Sequence, residues 1–180
     1  KIFTDKTFGY FTASHAGDFG YSNSNQHYHL KNGDWLHIGR GLYRLPGIAD
    51  TFESDLVKAC LWSCNRKGTI EGVIGEQTAL RYYGILPEFE SSGNNKNNSN
   101  RICLMVPKNF RRDSIPENYE IIKGNMPQNW EIDSFAGMKI VKPIRALLEM
   151  KAELLRDGAL QQATACAMAK GYLTAASAIA

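Results

Sequence analysis

The 180 residues predict an α+β chain, and three observations carry that prediction. Between Thr12 and Asn32, two short helical spans are each opened by a hydroxyl residue and closed by a glycine. After Gly33 the apolar residues change from a helical to a strand-like pattern. From Gly72 onward, short apolar runs such as Ile102–Val106 are interspersed with helix-like spans such as Glu76–Tyr83. Helix, turn, helix and then hairpin describe a winged helix-turn-helix, so the expectation is an N-terminal winged helix-turn-helix followed by a mixed α/β C-terminal domain.

Residues 1 to 11 hold too few apolar side chains for a full first helix, and Phe3, Phe8 and Phe11 are expected to pack what is there. Lys1 is not a natural initiator, so the chain reads as a piece of a longer polypeptide or a cleaved product. Thr12 can cap a helix running to Phe19, because its hydroxyl can accept from a first-turn amide while Ala13 and Ala16 favour the helix that follows. Gly20 ends it. Ser22 can cap a second helix over roughly Asn23 to Asn32, with Gly33 where a positive φ is wanted. Trp35-Leu36-His37-Ile38 and Leu42-Tyr43-Arg44-Leu45 then flank Gly39-Arg40-Gly41, a hairpin signal that places Arg40 at a wing tip.

At about 100° per residue, Gln26 and Leu30 share one face of the second helix, while Ser24, Tyr28 and Lys31 fall near the opposite one. Those outer residue types hydrogen-bond base edges or phosphates, and a tyrosine can also stack. The candidate contacts to double-stranded DNA are Ser22, Asn23, Ser24, Asn25, His27, Tyr28, Lys31, Arg40 and Arg44. The bland alternative is a polar helix and hairpin that simply pack on the rest of the domain.

Beyond Pro46-Gly47, Asp50 and Glu53 resemble a capping box, opening a helix to about Cys64 with Leu56, Cys60 and Leu61 on one face. This helix is expected to bridge two parts, giving a winged domain at 1–46, a bridge and linker at 47–70 and a mixed α/β domain at 71–180. Within the last, Gly72-Val73-Ile74 reads as a short strand and Glu76 to Tyr83 as a helix stopped by Gly84. The Asn-rich run at 91–100 has almost nothing to bury and reads as a mobile loop. Strands are expected at Ile102–Val106 and Tyr119–Ile122, then a hairpin of Trp130–Asp133 with Met138–Val141 around Ala136-Gly137. Pro143 opens a helix to about Glu153, and Ala159 to Lys170 forms a last helix before Gly171. Lys108, Arg111 and Arg112 are either a second phosphate contact or an ordinary solvated loop.

A hydrophobic content of 43% is enough for a real core and excludes a wholly disordered chain. The net charge of +3 permits nucleic-acid binding without indicating it. Residues 1–46 hold five Lys/Arg against three Asp/Glu and all four histidines. No apolar run approaches the roughly 20 residues of a membrane span, and the first residues lack a signal-peptide core, so a cytoplasmic protein without a membrane partner is expected. Cys60, Cys64, Cys103 and Cys166 show no Cys-x-x-Cys spacing and read as reduced thiols. In a helix, His27-x-His29 points its rings to different faces, so no metal is expected.

A magnesium nuclease would need clustered carboxylates with a lysine. The nearest candidates, Glu120 with Lys123 and Asp133 with Lys139, lack the tight spacing that sets both groups at one metal. No nucleophile elbow, phosphate loop or dinucleotide fingerprint is present. The chain therefore reads as a binder, not an enzyme, with no cofactor.

Several motifs occur together in order: Gly9-Tyr10-Phe11-Thr12-Ala13, Ile38-Gly39-Arg40-Gly41-Leu42-Tyr43-Arg44-Leu45-Pro46, Asp55-Leu56-Val57, Val73-Ile74-Gly75-Glu76-Gln77-Thr78-Ala79-Leu80, Tyr83-Gly84-Ile85, Leu104-Met105-Val106-Pro107 and Lys142-Pro143-Ile144-Arg145-Ala146-Leu147-Leu148. On these the chain resembles the AbiEi family of antitoxins from type IV toxin-antitoxin systems, through most of its length. Two departures stand out: a short first helix, and polar Gln26 and His29 on a helix that must pack inward. The resemblance implies a bacterial autorepressor and antitoxin of a phage-defence system that binds inverted repeats upstream of its own operon. It also implies a functional partner, a nucleotidyltransferase-like toxin opposed without a stable complex. The rival expectations are a nuclease-like DNA-processing enzyme delivered by a winged helix, and a winged helix that binds protein.

Overall fold

A computed structural model describes residues 2–86, 101–112, 114–124, 126–149 and 158–174. The loop expected at 91–100 and the end of the helix expected to reach Glu153 lie outside the described residues. The fold is mixed α+β, with one three-stranded antiparallel sheet near the N-terminus and one five-stranded mixed sheet. Two compact units divide the chain: Lys1–Gly72 with Ser134–Lys139, and Val73–Asp133 with Ile140–Ala180.

The first unit opens with a short helix, α1 (Ile2–Lys6), where the sequence held too few apolar residues for a full one. Its exit turns through Gly9, whose φ of +77° and lack of a Cβ let the chain pass the Ile48 side chain. Strand β1 (Tyr10–Thr12) follows, then α2 (Ala13–Asp18), α3 (Asn23–Lys31), β2 (Leu36–Gly39) and β3 (Leu42–Arg44). Both β1 and β2 pair antiparallel with β3, so the hairpin strand nearer the core is central. Strand β1 escaped the sequence reading because its pairing, Tyr10 with Arg44 and Thr12 with Leu42, spans some thirty residues of chain.

Side chains alternate across a strand, which gives this sheet two distinct faces. Phe11 is buried with Ala16 and Trp35, and Leu30, Tyr43 and Leu45 pack against them. Trp35 meets Phe11 edge-on at 4.8 Å and Tyr43 at 5.8 Å. Tyr10, Leu42 and Arg44 alternate with these on β1 and β3, and helix α4 (Phe52–Trp62) packs against β1.

Thr51, not Asp50, caps α4. The Thr51 hydroxyl accepts from the Ser54 amide at 3.1 Å and the Ser54 hydroxyl accepts from the Thr51 amide at 3.0 Å. Leu56, Val57, Cys60 and Leu61 are essentially fully buried, each aliphatic side chain contributing about 1.5–3 kcal/mol. The helix read from sequence as a bridge thus completes the core of the first unit.

The turn Ser134–Lys139 also belongs to this unit. Ala136 and Gly137 both adopt positive φ, and a Cβ on Gly137 would come within 3.2 Å of Thr7 Cγ2. The Lys139 ammonium donates to the Ile70 carbonyl at 3.0 Å.

The second unit comprises β4 (Val73–Ile74), α5 (Glu76–Tyr82), β5 (Ile102–Val106), β6 (Tyr119–Lys123), a 3-10 turn at Asn129–Glu131, α6 (Pro143–Leu148) and α7 (Ala159–Ala169), with β7 (Ile132–Phe135) and β8 (Met138–Val141) each divided between it and the first unit. Sheet order is β6-β5-β4-β8-β7, with β5 parallel to β6, antiparallel to β4, and β4 parallel to β8. All five residues of β5 are buried, as a continuous apolar run in a central strand requires. Trp130 and Glu131, expected as strand, lie in the 3-10 turn. Ala159, Ala163 and Ala167 form the buried stripe by which α7 meets α6. No helix among the described residues is long and apolar enough to cross a membrane.

Candidate nucleic-acid interface

The interface candidate is built from α2, α3 and the β2–β3 hairpin. Thr12 caps α2 reciprocally with His15: its hydroxyl accepts from the His15 amide at 3.2 Å, and His15 Nδ1 accepts from the Thr12 amide at 3.4 Å. Burial lowers the His15 pKa, against a smaller opposing pull from Asp18. Helix α2 ends at Phe19, and the chain reverses through Gly20 at φ +86°. Ser22 then caps α3, accepting from the Asn25 amide at 3.3 Å.

Gln26 accounts for the polar residue on the inward face of α3. It is 6% exposed, and its amide nitrogen donates to the carbonyls of Ala13 at 3.3 Å and Tyr21 at 3.0 Å. A leucine there would leave both carbonyls without that donor, so a polar side chain is what fastens α3 onto α2. His29 is half-buried, stacked on Trp35 at 5.0 Å with Nδ1 2.9 Å from Asp34 Oδ2.

With those two accounted for, Ser22, Asn23, Ser24, Asn25, His27, Tyr28 and Lys31 are all exposed, Tyr28 by 61%. Arg40 is exposed at the hairpin tip, between Gly39 and a Gly41 with φ +70°. The tip is tied down, because the Gly41 carbonyl accepts from the Ala13 amide at 2.9 Å. One short bond therefore holds the hairpin tip beside the start of α2.

Arg44 leaves the candidate set. It is 7% exposed, and its guanidinium lies 4.7 Å over the Tyr10 ring. NH1 donates to Asp50 at 2.6 Å, and NH2 donates to the Ile48 and Ala49 carbonyls at 2.8 and 3.1 Å. Its position one strand residue beyond Tyr43 turns it to the α4 side of the sheet, where it staples the loop after the hairpin. The charge that α3 and the hairpin present outward is therefore that of Lys31 and Arg40.

In the second unit, Lys108 and Arg111 are exposed and Arg112 is half-buried, in the loop after β5. Asp133, one nuclease candidate, accepts from the Tyr83 hydroxyl at 2.9 Å and lies 4.0 Å from the Lys142 ammonium. Burial first, and that bond second, push the Tyr83 phenol well above its ordinary range. Among the described residues, no group of three His, Cys, Asp or Glu side chains is placed to hold a metal. Cys60, Cys64 and Cys103 are buried thiols, and Cys166 is partly exposed.

No protein-family model matches the chain, and neither does any curated protein.

Proposed function

We propose that this chain is a sequence-specific DNA-binding transcriptional autorepressor and the antitoxin of a bacterial type IV toxin-antitoxin system, with α2, α3 and the β2–β3 hairpin acting as a winged helix-turn-helix. One observation supports the DNA-binding part above the rest. Helix α3 is fastened from beneath by Gln26, while its outer side chains and Arg40 are exposed. In this reading Ser24, Asn25, Tyr28 and Lys31 face the major groove, and Arg40 holds a phosphate or enters the minor groove. The repressor's operon, its inverted-repeat operator, its toxin of nucleotidyltransferase type and its place in phage defence rest on the AbiEi resemblance alone.

A titration of the chain against its own upstream DNA, at two salt concentrations and with scrambled competitor, tests the DNA part. Specific binding that weakens with salt is expected; equal affinity for both DNAs overturns sequence-specific recognition. Rescue of growth on co-expression with the neighbouring toxin tests the antitoxin part, and no rescue overturns it.

A second reading is a protein-binding winged helix. Apolar side chains in the same segment favour it: Phe19 is 65% exposed and Leu36 43%. Affinity for a partner that hardly responds to salt would mark it, because few counterions would be released.

A further inference from the structure

We propose that His29 is a positioning residue, locking the exposed face of α3 to the β2–β3 hairpin so that the two address DNA as one body. The inference rests on the DNA-binding reading above. Three independent connections meet at this residue. Its carbonyl closes the end of α3 by accepting from both the Asp34 amide at 3.0 Å and the Trp35 amide at 3.3 Å. Its Nδ1 lies 2.9 Å from Asp34 Oδ2, tying the helix to the turn that leads into β2. Its ring stacks on Trp35 with centroids 5.0 Å apart and planes at 21°.

Rings then continue in both directions. Outward, the His29 edge meets Tyr28, which stands on the exposed face, at 5.6 Å. Inward, Trp35 packs on Phe11 of β1 and Tyr43 of β3. A rotation of α3 about its own axis must therefore either break the His29–Asp34 bond or slide the imidazole off the indole. An apolar side chain would supply the packing without the bond, and a serine or asparagine would supply a bond without the stack.

The test measures the preference of the full chain for a DNA site selected from a random double-stranded pool over scrambled DNA, alongside thermal unfolding. His29→Ala removes bond and stack. It should lower the preference by about tenfold, the discrimination carried by one base contact. His29→Phe keeps a stacking ring and so covers the case in which the alanine variant does not fold. It should recover unfolding temperature but not preference. Asp34→Asn retains an acceptor oxygen for the imidazole and should keep the wild-type preference.

A preference unchanged in His29→Phe, or recovered by it together with stability, overturns the positioning role and leaves the DNA reading intact. A wild-type chain that shows no preference overturns the DNA reading and this inference with it.

Discussion

Replacing Arg44 by alanine separates a DNA contact from a structural staple. The substitution removes a guanidinium that donates to Asp50 and to two backbone carbonyls and covers the Tyr10 ring. The Asp50 side chain is 72% exposed, so the ion pair itself is worth about 1 kcal/mol at most. The carbonyl bonds and the cation–ring contact add about 1 kcal/mol each, and with overlap among them the loss is about 3 kcal/mol. For a unit of this size that lowers the melting temperature by roughly 12–24 °C. Urea unfolding should show the loss, and DNA titration of the folded fraction should show an unchanged dependence on salt. A variant as stable as wild type whose log–log salt slope falls by about 0.9 would refute the reasoning, because it would mean that Arg44 reaches a phosphate.

Arg40→Ala should do the reverse, reducing the salt slope by about 1 and weakening all sequences alike while stability stays within about 0.5 kcal/mol. Asn25→Ala should change which sequence is preferred, measured by selection from a random pool, and an unaltered preference would remove Asn25 from the groove. The lowered pKa of His15 means that the unfolded chain takes up its proton first, so stability should fall as pH drops below the ordinary histidine value of about 6.5. Above that value the residue contributes no pH dependence. His15→Gln keeps a side-chain acceptor for the Thr12 amide and should remove this component; identical pH–stability curves for the two proteins would count against the assignment. Burial pushes the Cys60 thiol up to about 12, so it should resist alkylation at pH 8 until the chain unfolds, read by mass spectrometry of the modified peptides.

The helix boundaries around the interface were legible because their causes are local. Thr12 and Ser22 cap amides a few residues away, and Gly20, Gly33 and Gly41 relieve positive φ where they stand. The inward placement of Gln26 followed from helical geometry, but its two carbonyl acceptors depend on how α2 and α3 cross. Arg44 was misread for a related reason. Composition shows a cation next to a wing, whereas its direction is set by strand alternation and its partner by a loop that folds back six residues later. The same pairing hid the true cap of α4: Asp50 is the better capping residue on propensity, yet it is engaged with Arg44, and Thr51 takes the position. Strand β1 and the parallel pairings of β4 with β8 and β5 with β6 are long-range, beyond what local patterns encode.

The turn Ser134–Lys139 has a consequence for synthesis. A ribosome that has finished Gly72 has not yet made the segment whose Lys139 carbonyl accepts from the Cys60 thiol at 3.6 Å and whose ammonium caps the Ile70 carbonyl. The first unit cannot be completed until Ser134–Lys139 has been translated, so it must wait, unfinished, through the making of β4, α5, β5 and β6. A gene truncated after the codon for Gly72 would encode both helices and the hairpin yet omit a piece of their own unit. Such a fragment should persist poorly in the cell, and supplying residues 134–139 on the same polypeptide is what would mend it.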